Sequence, residues 1–182
     1  MADGWSLNAS DGELVLRTGV AGRAARMGHR LTIAMTRWQA TVTWAGSQPT
    51  AADLTVQTDS LEVLRGEGGV KGLSGAEKAM VRSNALKSLD EQRFPEIRFA
   101  AQLIEQSDDG YRLTGRLQIH GITRDHVIDL RTEDLGDSWR LLAESTVRQS
   151  DYGIKPYSLL MGSLQVTDDV AVSFAAVHAK DH

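Results

Sequence analysis

The stretch LQIHGITRDHVIDL, residues 117–130, contains apolar residues that alternate with polar ones on both sides of a central HGIT. A period of two places every second side chain on one face, which is typical of a half-buried β-strand. Gly121 supplies a turn conformation that few other residues tolerate. The stretch therefore predicts a β-hairpin, with His120 at the end of its first strand.

The same period of two recurs along most of the chain. Clear alternation occurs in four segments, at 13–18, 96–104, 111–120 and 169–177, and weaker alternation in two, at 53–61 and 139–147. Many short strands separated by turn residues, without βαβ alternation, favour an antiparallel barrel or sandwich. A chain of 182 residues is the length of one domain, so a single domain over residues 1–182 is expected.

One segment changes the phase of this alternation. Leu31, Ile33 and Met35 are apolar at odd positions, whereas Trp38 and Val42 are apolar at even positions. A slip of one residue turns every following side chain to the opposite face of a sheet. A β-bulge near residue 37 or two shorter strands would each explain the change, and the sequence does not distinguish them.

Two segments are interpreted as helical. Ser74 is followed three residues later by Glu77, which is a capping-box pattern, and residues 76–86 carry Ala, Met and Leu at helical spacing. A shorter helical turn is expected at 22–27, with Gly28 as its stop. The glycine-rich segment at 65–73 lacks a Walker-A pattern and is interpreted as a flexible connection.

Composition excludes several classes of function. The chain has no cysteine, which excludes disulfides, thiolate catalysis and Cys-ligated zinc. The formal net charge of −4 argues against general affinity for nucleic acid, which needs a basic face. No apolar run approaches the ~18 residues of a membrane span, and the N-terminal sequence has no secretory pattern. The expectation is a soluble, cytoplasmic protein without a transmembrane segment.

Four blocks of the sequence, taken in order, resemble the YceI-like, polyisoprenoid-binding family. They are DLTVQTDSLEV at 53–63, LKSLDEQRFPEIRFAAQ at 86–102, LTGRLQIHGITRDHVIDL at 113–130 and STVRQSDYGI at 145–154. The resemblance implies a lipocalin-like, extended antiparallel β-barrel of about eight strands with one or two helices. It also implies that the barrel binds a long isoprenoid chain, needs no cofactor and is not an enzyme.

The candidate ligand contacts include a basic cluster. No Asp or Glu occurs from Leu14 to Ala52, where several arginines lie among glycines and His29. Arginine offers bidentate donors to a phosphate or carboxylate headgroup, although these side chains could equally form a solvated face that pairs with acids elsewhere. The predicted ligand-binding residues are Arg23, Arg26, His29, Trp38, Trp44, Arg148, Tyr157 and Met161. Met161 would suit an irregular apolar wall, or an ordinary core.

The histidines have simpler interpretations. His29 could reach a headgroup at the barrel rim, but fastening a loop to a backbone carbonyl is the preferred interpretation. His120 is interpreted as structural, fixing the hairpin and the barrel register, with ligand contact as the alternative. His178 and His182 are assigned to a C-terminal tail, and no histidine spacing matches a metal site.

Three functions remain open from the sequence. The first is a carrier that sequesters an isoprenoid or other long-chain amphiphilic lipid. The second is a non-enzymatic interaction or stress-related module with a self-filled barrel, which dimerises through its helix or a strand edge. The third is an enzyme with His29 or His120 as general base, although no nucleophile elbow or acidic pair supports it.

Overall fold

The computed structural model describes residues 4–181, which are mostly strand, as the alternation predicts. The strands are β1 (Gly4–Asn8), β2 (Gly12–Arg17), β3 (Val20–Ala21), β4 (His29–Met35), β5 (Trp38–Ala45), β6 (Gln48–Gln57), β7 (Leu61–Gly68), β8 (Glu96–Gln106), β9 (Gly110–Ile119), β10 (Ile122–Asp134), β11 (Ser138–Arg148), β12 (Ser158–Leu159), β13 (Leu164–Val166) and β14 (Asp169–Ala179). The helix α1 covers Gly75–Ser88, and short 3-10 turns cover Ala25–Met27, Thr58–Ser60, Gln149–Tyr152 and Leu160–Gly162.

Eleven strands form one large antiparallel sheet. Their order is β1-β5-β6-β8-β9-β10-β11-β14-β2-β4-β7, and β12, β13 and β3 form a second, small sheet. The mostly β, antiparallel, lipocalin-like class is therefore confirmed, but the main sheet has eleven strands where about eight were expected. The strands at the two edges are β1 and β7, in which the alternation is short.

A two-residue link forces the large sheet to curl. Strands β4 and β5 are consecutive in the chain and are separated only by Thr36 and Arg37, yet each lies next to an opposite edge of the sheet. The Thr36 amide donates to the Ser60 carbonyl at 3.1 Å, and the Gln57 amide donates to the Arg37 carbonyl at 3.0 Å. These bonds hold the two sides of the sheet together at one end, which is called the closed end below.

The change of alternation phase at residues 31–42 also results from the two-residue link between β4 and β5. The sequence left a bulge or two strands open, and the structure has two strands, β4 and β5, on either side of the link at 36–37. The slip in parity therefore marks the place where the chain crosses from one side of the barrel to the other. Register shifts do occur nearby, but inside the strands, at Thr32/Ile33 and at Thr43/Trp44.

The core is aliphatic with few aromatic side chains. A first buried group at the closed end includes Leu7, Ile33, Met35, Trp38 and Leu61. A second buried group lies against the inner face of β8 and β9, where its members are Phe99, Ala101, Leu117, Ile119, Tyr152 and Ile154. The two groups share partly buried neighbours, among them Leu54, Leu89 and Ile97.

The turn between β9 and β10 is made by two residues with positive φ. His120 has φ 55° and Gly121 has φ 75°, a combination typical of the tight hairpin turn whose twist matches the flanking strands. The His120 ring donates from Nδ1 to the Tyr152 carbonyl at 3.0 Å and packs edge-on against Phe94, with ring centroids 5.1 Å apart. The structural interpretation of His120 is confirmed, because one side chain ties the hairpin to two other segments.

Both helical predictions are confirmed. The Ser74 hydroxyl accepts from the Glu77 amide and the Glu77 carboxylate accepts from the Ser74 amide, each at 3.2 Å, so the capping box is complete. The segment at 22–27 contains a single 3-10 turn that ends at Gly28.

The glycine-rich segment is only partly a connection. Residues 65–68, interpreted as flexible, belong to β7 and pair with β4. Gly66 is required there, because a Cβ atom on it would lie 2.7 Å from Leu73 Cδ1 and 2.9 Å from His29 Cβ. The strand was not recognised from the sequence, because glycine stands where the alternation would place a side chain.

Among residues 4–181, no helix combines the length and the apolar composition needed to cross a membrane.

The close approach at Gly115 predicts a strong stability effect. A Cβ atom at this position would lie 2.2 Å from the Ala100 carbonyl oxygen and 2.8 Å from Ala101 Cα, both on the neighbouring strand β8. We expect Gly115→Ala to lower the free energy of unfolding by about 2–4 kcal/mol, because backbone atoms must shift. Urea unfolding followed by circular dichroism measures this. Gly72→Ala, where nothing lies within 4 Å, is the control and should change stability by less than about 0.5 kcal/mol.

Candidate functional site

The curled sheet and α1 enclose a cavity of about 510 Å³. The inner faces of β2, β4, β6, β8, β9, β10, β11 and β14 form most of its wall, and α1 completes it. Most of the lining side chains are aliphatic, for example Leu16, Leu31, Ile97, Ile128, Val147 and Val172. An apolar interior of this size lies within the roughly 300–1,000 Å³ of small-molecule sites.

Helix α1 forms one side of the cavity. Val81, Ala85 and Leu89 line the cavity and pack against the core, while Met80 lines it but keeps 64% of its surface exposed. The Arg82 guanidinium anchors the helix at the closed end, since Nε donates to the Leu61 carbonyl at 2.8 Å. The helix therefore has a fixed position near the closed end and a partly exposed apolar side at the other.

The mouth of the cavity is covered by a small substructure, the mouth cap, which consists of residues 19–28 and 155–166. It contains the sheet β12-β13-β3 and the 3-10 turns at Ala25–Met27 and Leu160–Gly162. The two segments are joined by hydrogen bonds, among them the Ala24 amide to the Ser163 carbonyl at 2.7 Å. Met27, Tyr157, Leu159 and Leu164 of the cap line the cavity.

The cavity wall contains a polar pair on β10 and β11. His126 Nε2 and Ser145 Oγ lie 2.7 Å apart, and both side chains line the cavity. The His126 ring packs edge-on toward Phe99, with ring centroids 6.2 Å apart. Burial in these surroundings lowers the pKa of His126 from its ordinary value, because the imidazolium loses hydration. The pair therefore contributes hydrogen bonds without a full charge at neutral pH.

A carboxylate, Glu77, also lines the cavity, at the start of α1. Its hydrogen bonds with Ser74 hold the pKa of the carboxyl below the ordinary value, and the charge of nearby Lys71 acts in the same direction. Glu77 is thus ionised and committed to capping the helix.

Two of the eight predicted ligand-binding residues, His29 and Tyr157, line the cavity. His29 Nε2 donates to the Lys71 carbonyl at 2.6 Å, which fastens the glycine-rich segment to β4. The preferred interpretation of His29 as a loop fastener is therefore confirmed. Tyr157 lies in the mouth cap and is 37% exposed.

The other six lie outside the cavity wall. Trp38 is buried in the core against Phe174, with ring centroids 5.2 Å apart, and Trp44 packs against Trp5 at 5.0 Å. Arg148 pairs with Asp169 at 3.2 Å on the outer surface. The remaining three residues lie exposed in the mouth cap, namely Arg23, Arg26 and Met161. A ligand role for any of the eight stays a prediction.

The histidine expected on a C-terminal tail lies in the sheet instead. His178 belongs to β14 and stacks on Trp5, with ring centroids 4.2 Å apart, so the tail assignment was wrong for it. His182 lies outside the described residues. Within 4–181, no group of three or more His, Asp or Glu side chains is arranged to share a metal ion.

The His126–Ser145 pair was not predicted, although the sequence contains a signal for it. His126 shares its parity with Ile128 and Leu130, and Ser145 shares its parity with Leu141 and Val147, so alternation places both on the inner faces of their strands. What alternation cannot supply is the pairing of β10 with β11, which brings the two side chains together.

Comparisons with known proteins agree with this fold. A family model described as a YceI-like domain matches residues 5–178. The chain is similar to the crystal structure of Burkholderia cenocepacia BcnA, with a TM-score of 0.71 at 15% identity, over 94% of this chain and 98% of that one. It is also similar to a Campylobacter jejuni YCEI protein, with a TM-score of 0.61 at 13% identity, over 82% and 85%. A comparison with curated proteins finds no match.

The half-buried His126 predicts a pH dependence of stability. Its pKa is lowered from 6.5 in the folded state, so the unfolded chain takes up the proton first as the pH falls. Stability is therefore lost as the pH falls below about 6.5. We expect wild type to lose more unfolding free energy between pH 7.5 and pH 5 than His126→Gln, measured by urea unfolding. Equal losses in the two proteins would contradict this, because their other titratable groups are the same.

Proposed function

Because the chain belongs to the YceI-like domain family, we propose that it is a carrier that sequesters an isoprenoid or other long-chain amphiphilic lipid inside its barrel. The observation that supports this most directly is the cavity of about 510 Å³ with aliphatic walls. A long hydrocarbon tail has no polar groups along its length. Its affinity must therefore come from apolar area removed from water, which such a cavity provides.

The cavity volume bounds the part of the ligand that is enclosed. One water molecule occupies roughly 30 Å³ in the liquid, and at that volume per heavy atom the cavity holds about 17 heavy atoms. This matches the tail of a C15–C20 amphiphile, and a chain of about 40 carbons would extend beyond this volume. A tail of about 20 carbons at about 0.3 kcal/mol per heavy atom supplies ~6 kcal/mol, a Kd of tens of micromolar.

The alternative, an interaction module with a self-filled barrel, requires an interior without a cavity, so the hollow favours the carrier. An enzymatic role would require more than the His126–Ser145 pair. Within the described part of the chain, no carboxylate hydrogen-bonds His126 to orient it as a general base. A cytoplasmic location and a homodimer stay predictions from the sequence.

Filling the cavity should abolish lipid binding. Ala85 lies on the cavity side of α1, and we expect Ala85→Trp to weaken binding of geranylgeraniol, a C20 isoprenoid alcohol, at least ten-fold by occupying its space. Native mass spectrometry and displacement of a fluorescent lipid measure the Kd. The matched control is Ala79→Trp, on the exposed side of the same helix, which should bind as wild type does.

Thermal unfolding of both variants distinguishes lost binding from lost folding. Wild-type protein that carries no lipid as purified and binds none at 1 mM geranylgeraniol would contradict the carrier proposal. Equal weakening by Ala85→Trp and Ala79→Trp would place the binding site elsewhere.

A further inference from the structure

The His126–Ser145 pair has hydrogen-bonding capacity that the protein does not use. If Nε2 carries the proton and donates to Ser145, the hydroxyl hydrogen and the Nδ1 lone pair are left over. If the hydroxyl donates to Nε2, the Nδ1 proton and an Oγ lone pair are left over. Within residues 4–181 the bond between the two side chains is the one hydrogen bond either of them makes. In both tautomers the pair retains one donor and one acceptor.

The surroundings of the pair are unfavourable for a charged group of a ligand. Phe99, Ile128 and Val147 line the cavity around it, and burial keeps the ring neutral. An anion bound there would lose its hydration without a cation in compensation, because the arginines of the mouth cap do not line the cavity. A neutral polar group would exchange hydrogen bonds to water for hydrogen bonds to the pair.

We propose that His126 and Ser145 bind one neutral hydroxyl or carbonyl group of the ligand, inside the apolar cavity. The inference rests on the proposed carrier function and specifies its ligand: a long apolar chain with an uncharged oxygen, rather than a phosphorylated one. Apolar burial supplies the affinity, and the pair fixes the position of the chain. Hydrogen bonds of this kind contribute selectivity, since a ligand without the oxygen leaves a buried polar pair unsatisfied.

Three C20 compounds test this with the purified protein of 182 residues. Geranylgeraniol carries a hydroxyl, phytane is a hydrocarbon and geranylgeranyl pyrophosphate is an anion. We expect wild type to bind geranylgeraniol at least five-fold more tightly than either of the others, as displacement of a fluorescent lipid measures. Ser145→Ala and His126→Phe should each remove most of this preference, because each removes one partner of the pair. Thr146→Ala, on the outer face of β11, is the control and should keep the preference.

The outcomes separate this inference from the carrier proposal. If all three compounds bind equally, or the pyrophosphate binds most tightly, the neutral-group inference is overturned and the carrier proposal stands. If the preference for the alcohol persists in both variants, another group recognises the oxygen. If none of the compounds binds, the carrier proposal itself falls.

A second, independent feature is the surface of the mouth cap, which is apolar at its tip. Leu159, Leu160 and Met161 are 48%, 60% and 106% exposed, and Met27 is 59% exposed. Leu160 and Met161 also have φ values of 54° and 58°, in a region that bulky side chains rarely adopt. Strain and exposure of adjacent large apolar residues are both unfavourable for an isolated protein in water.

The same substructure is basic in a protein whose net charge is −4. Residues 14–52 and 153–167 contain no Asp or Glu, and both segments of the cap lie within these stretches. Arg23, Arg26 and Lys155 are exposed and make no ion pair with any residue from 4 to 181. The cap therefore combines apolar side chains with unpaired cations beside the cavity mouth.

We infer that the mouth cap docks on an anionic lipid bilayer, with its apolar tip among the acyl chains and its cations at the headgroups. Both components suit such a surface, because lipid headgroups attract Lys and Arg while the interface accepts apolar side chains. A second copy of the chain is a poorer partner. A two-fold contact through this patch would bring the cations of the two copies together.

Vesicle flotation at low salt tests this. We expect wild type to bind vesicles of phosphatidylcholine with 30% phosphatidylglycerol and to bind pure phosphatidylcholine weakly. Arg23→Glu with Arg26→Glu should reduce the partition coefficient at least five-fold per residue, since each cation contributes about that factor near an anionic surface. Leu160→Ser with Met161→Ser should reduce it as well. Leu103→Ser, an exposed apolar residue of β8, is the control.

Undiminished vesicle binding by both double variants overturns the docking inference. A dimer by light scattering that Leu160→Ser with Met161→Ser dissociates, without vesicle binding by wild type, would assign the patch to a second copy. Flotation requires no bound ligand. If the protein binds vesicles but takes up no C20 lipid, the docking inference therefore stands and the carrier proposal is contradicted.

Discussion

The link of Thr36 and Arg37 determines the shape of the molecule. It joins strands that lie near opposite edges of an eleven-stranded sheet, and two residues cannot span a flat sheet of that width. The sheet must therefore curl until its two sides meet at the closed end, where backbone hydrogen bonds to Gln57 and Ser60 hold them. The same curl leaves an apolar hollow that extends from Met35 and Leu61 near the link towards the mouth, where α1 and the mouth cap cover it. Closure at one end and the cavity inside the barrel have a single cause.

The elements that were predicted correctly are those that short stretches of sequence determine. The hairpin at His120 and Gly121 requires positive φ at two adjacent positions, and the capping box of Ser74 and Glu77 requires two side chains three residues apart. Alternation found the strands in which one face is buried, and four blocks in order identified the family. Each turn, cap, strand and family block lies within about 20 residues of chain, so the local sequence contains its signal in full.

The elements that were missed depend on contacts between distant segments. β7 carries Gly66 because His29 and Leu73 occupy the space of a side chain, a constraint that the local sequence does not display. The curl of the sheet places Trp38 in the core, which the local sequence does not display, and its ligand role stays a prediction. His126 and Ser145 were individually visible as inward-facing positions, yet their contact depends on the register between β10 and β11. In a barrel, the register between paired strands determines which side chains meet in a site, and the sequence of one strand alone does not determine that register.

In this cavity, affinity and selectivity depend on different side chains: the aliphatic walls would provide affinity, and the few polar groups would provide selectivity. Aliphatic walls bind any chain of the right length, because the hydrophobic effect is non-directional and scales with area. Discrimination then depends on the few polar atoms that a wrong ligand leaves unsatisfied, and the His126–Ser145 pair in the cavity wall is one such group. Cations placed in the wall would have selected phosphorylated lipids, but the sequence confines Arg23 and Arg26 to the cap outside it. An interior without Lys or Arg beneath a cationic rim would suit the proposed role of taking an uncharged lipid from an anionic surface, because the rim would attract the membrane while the interior would exclude its charged headgroups.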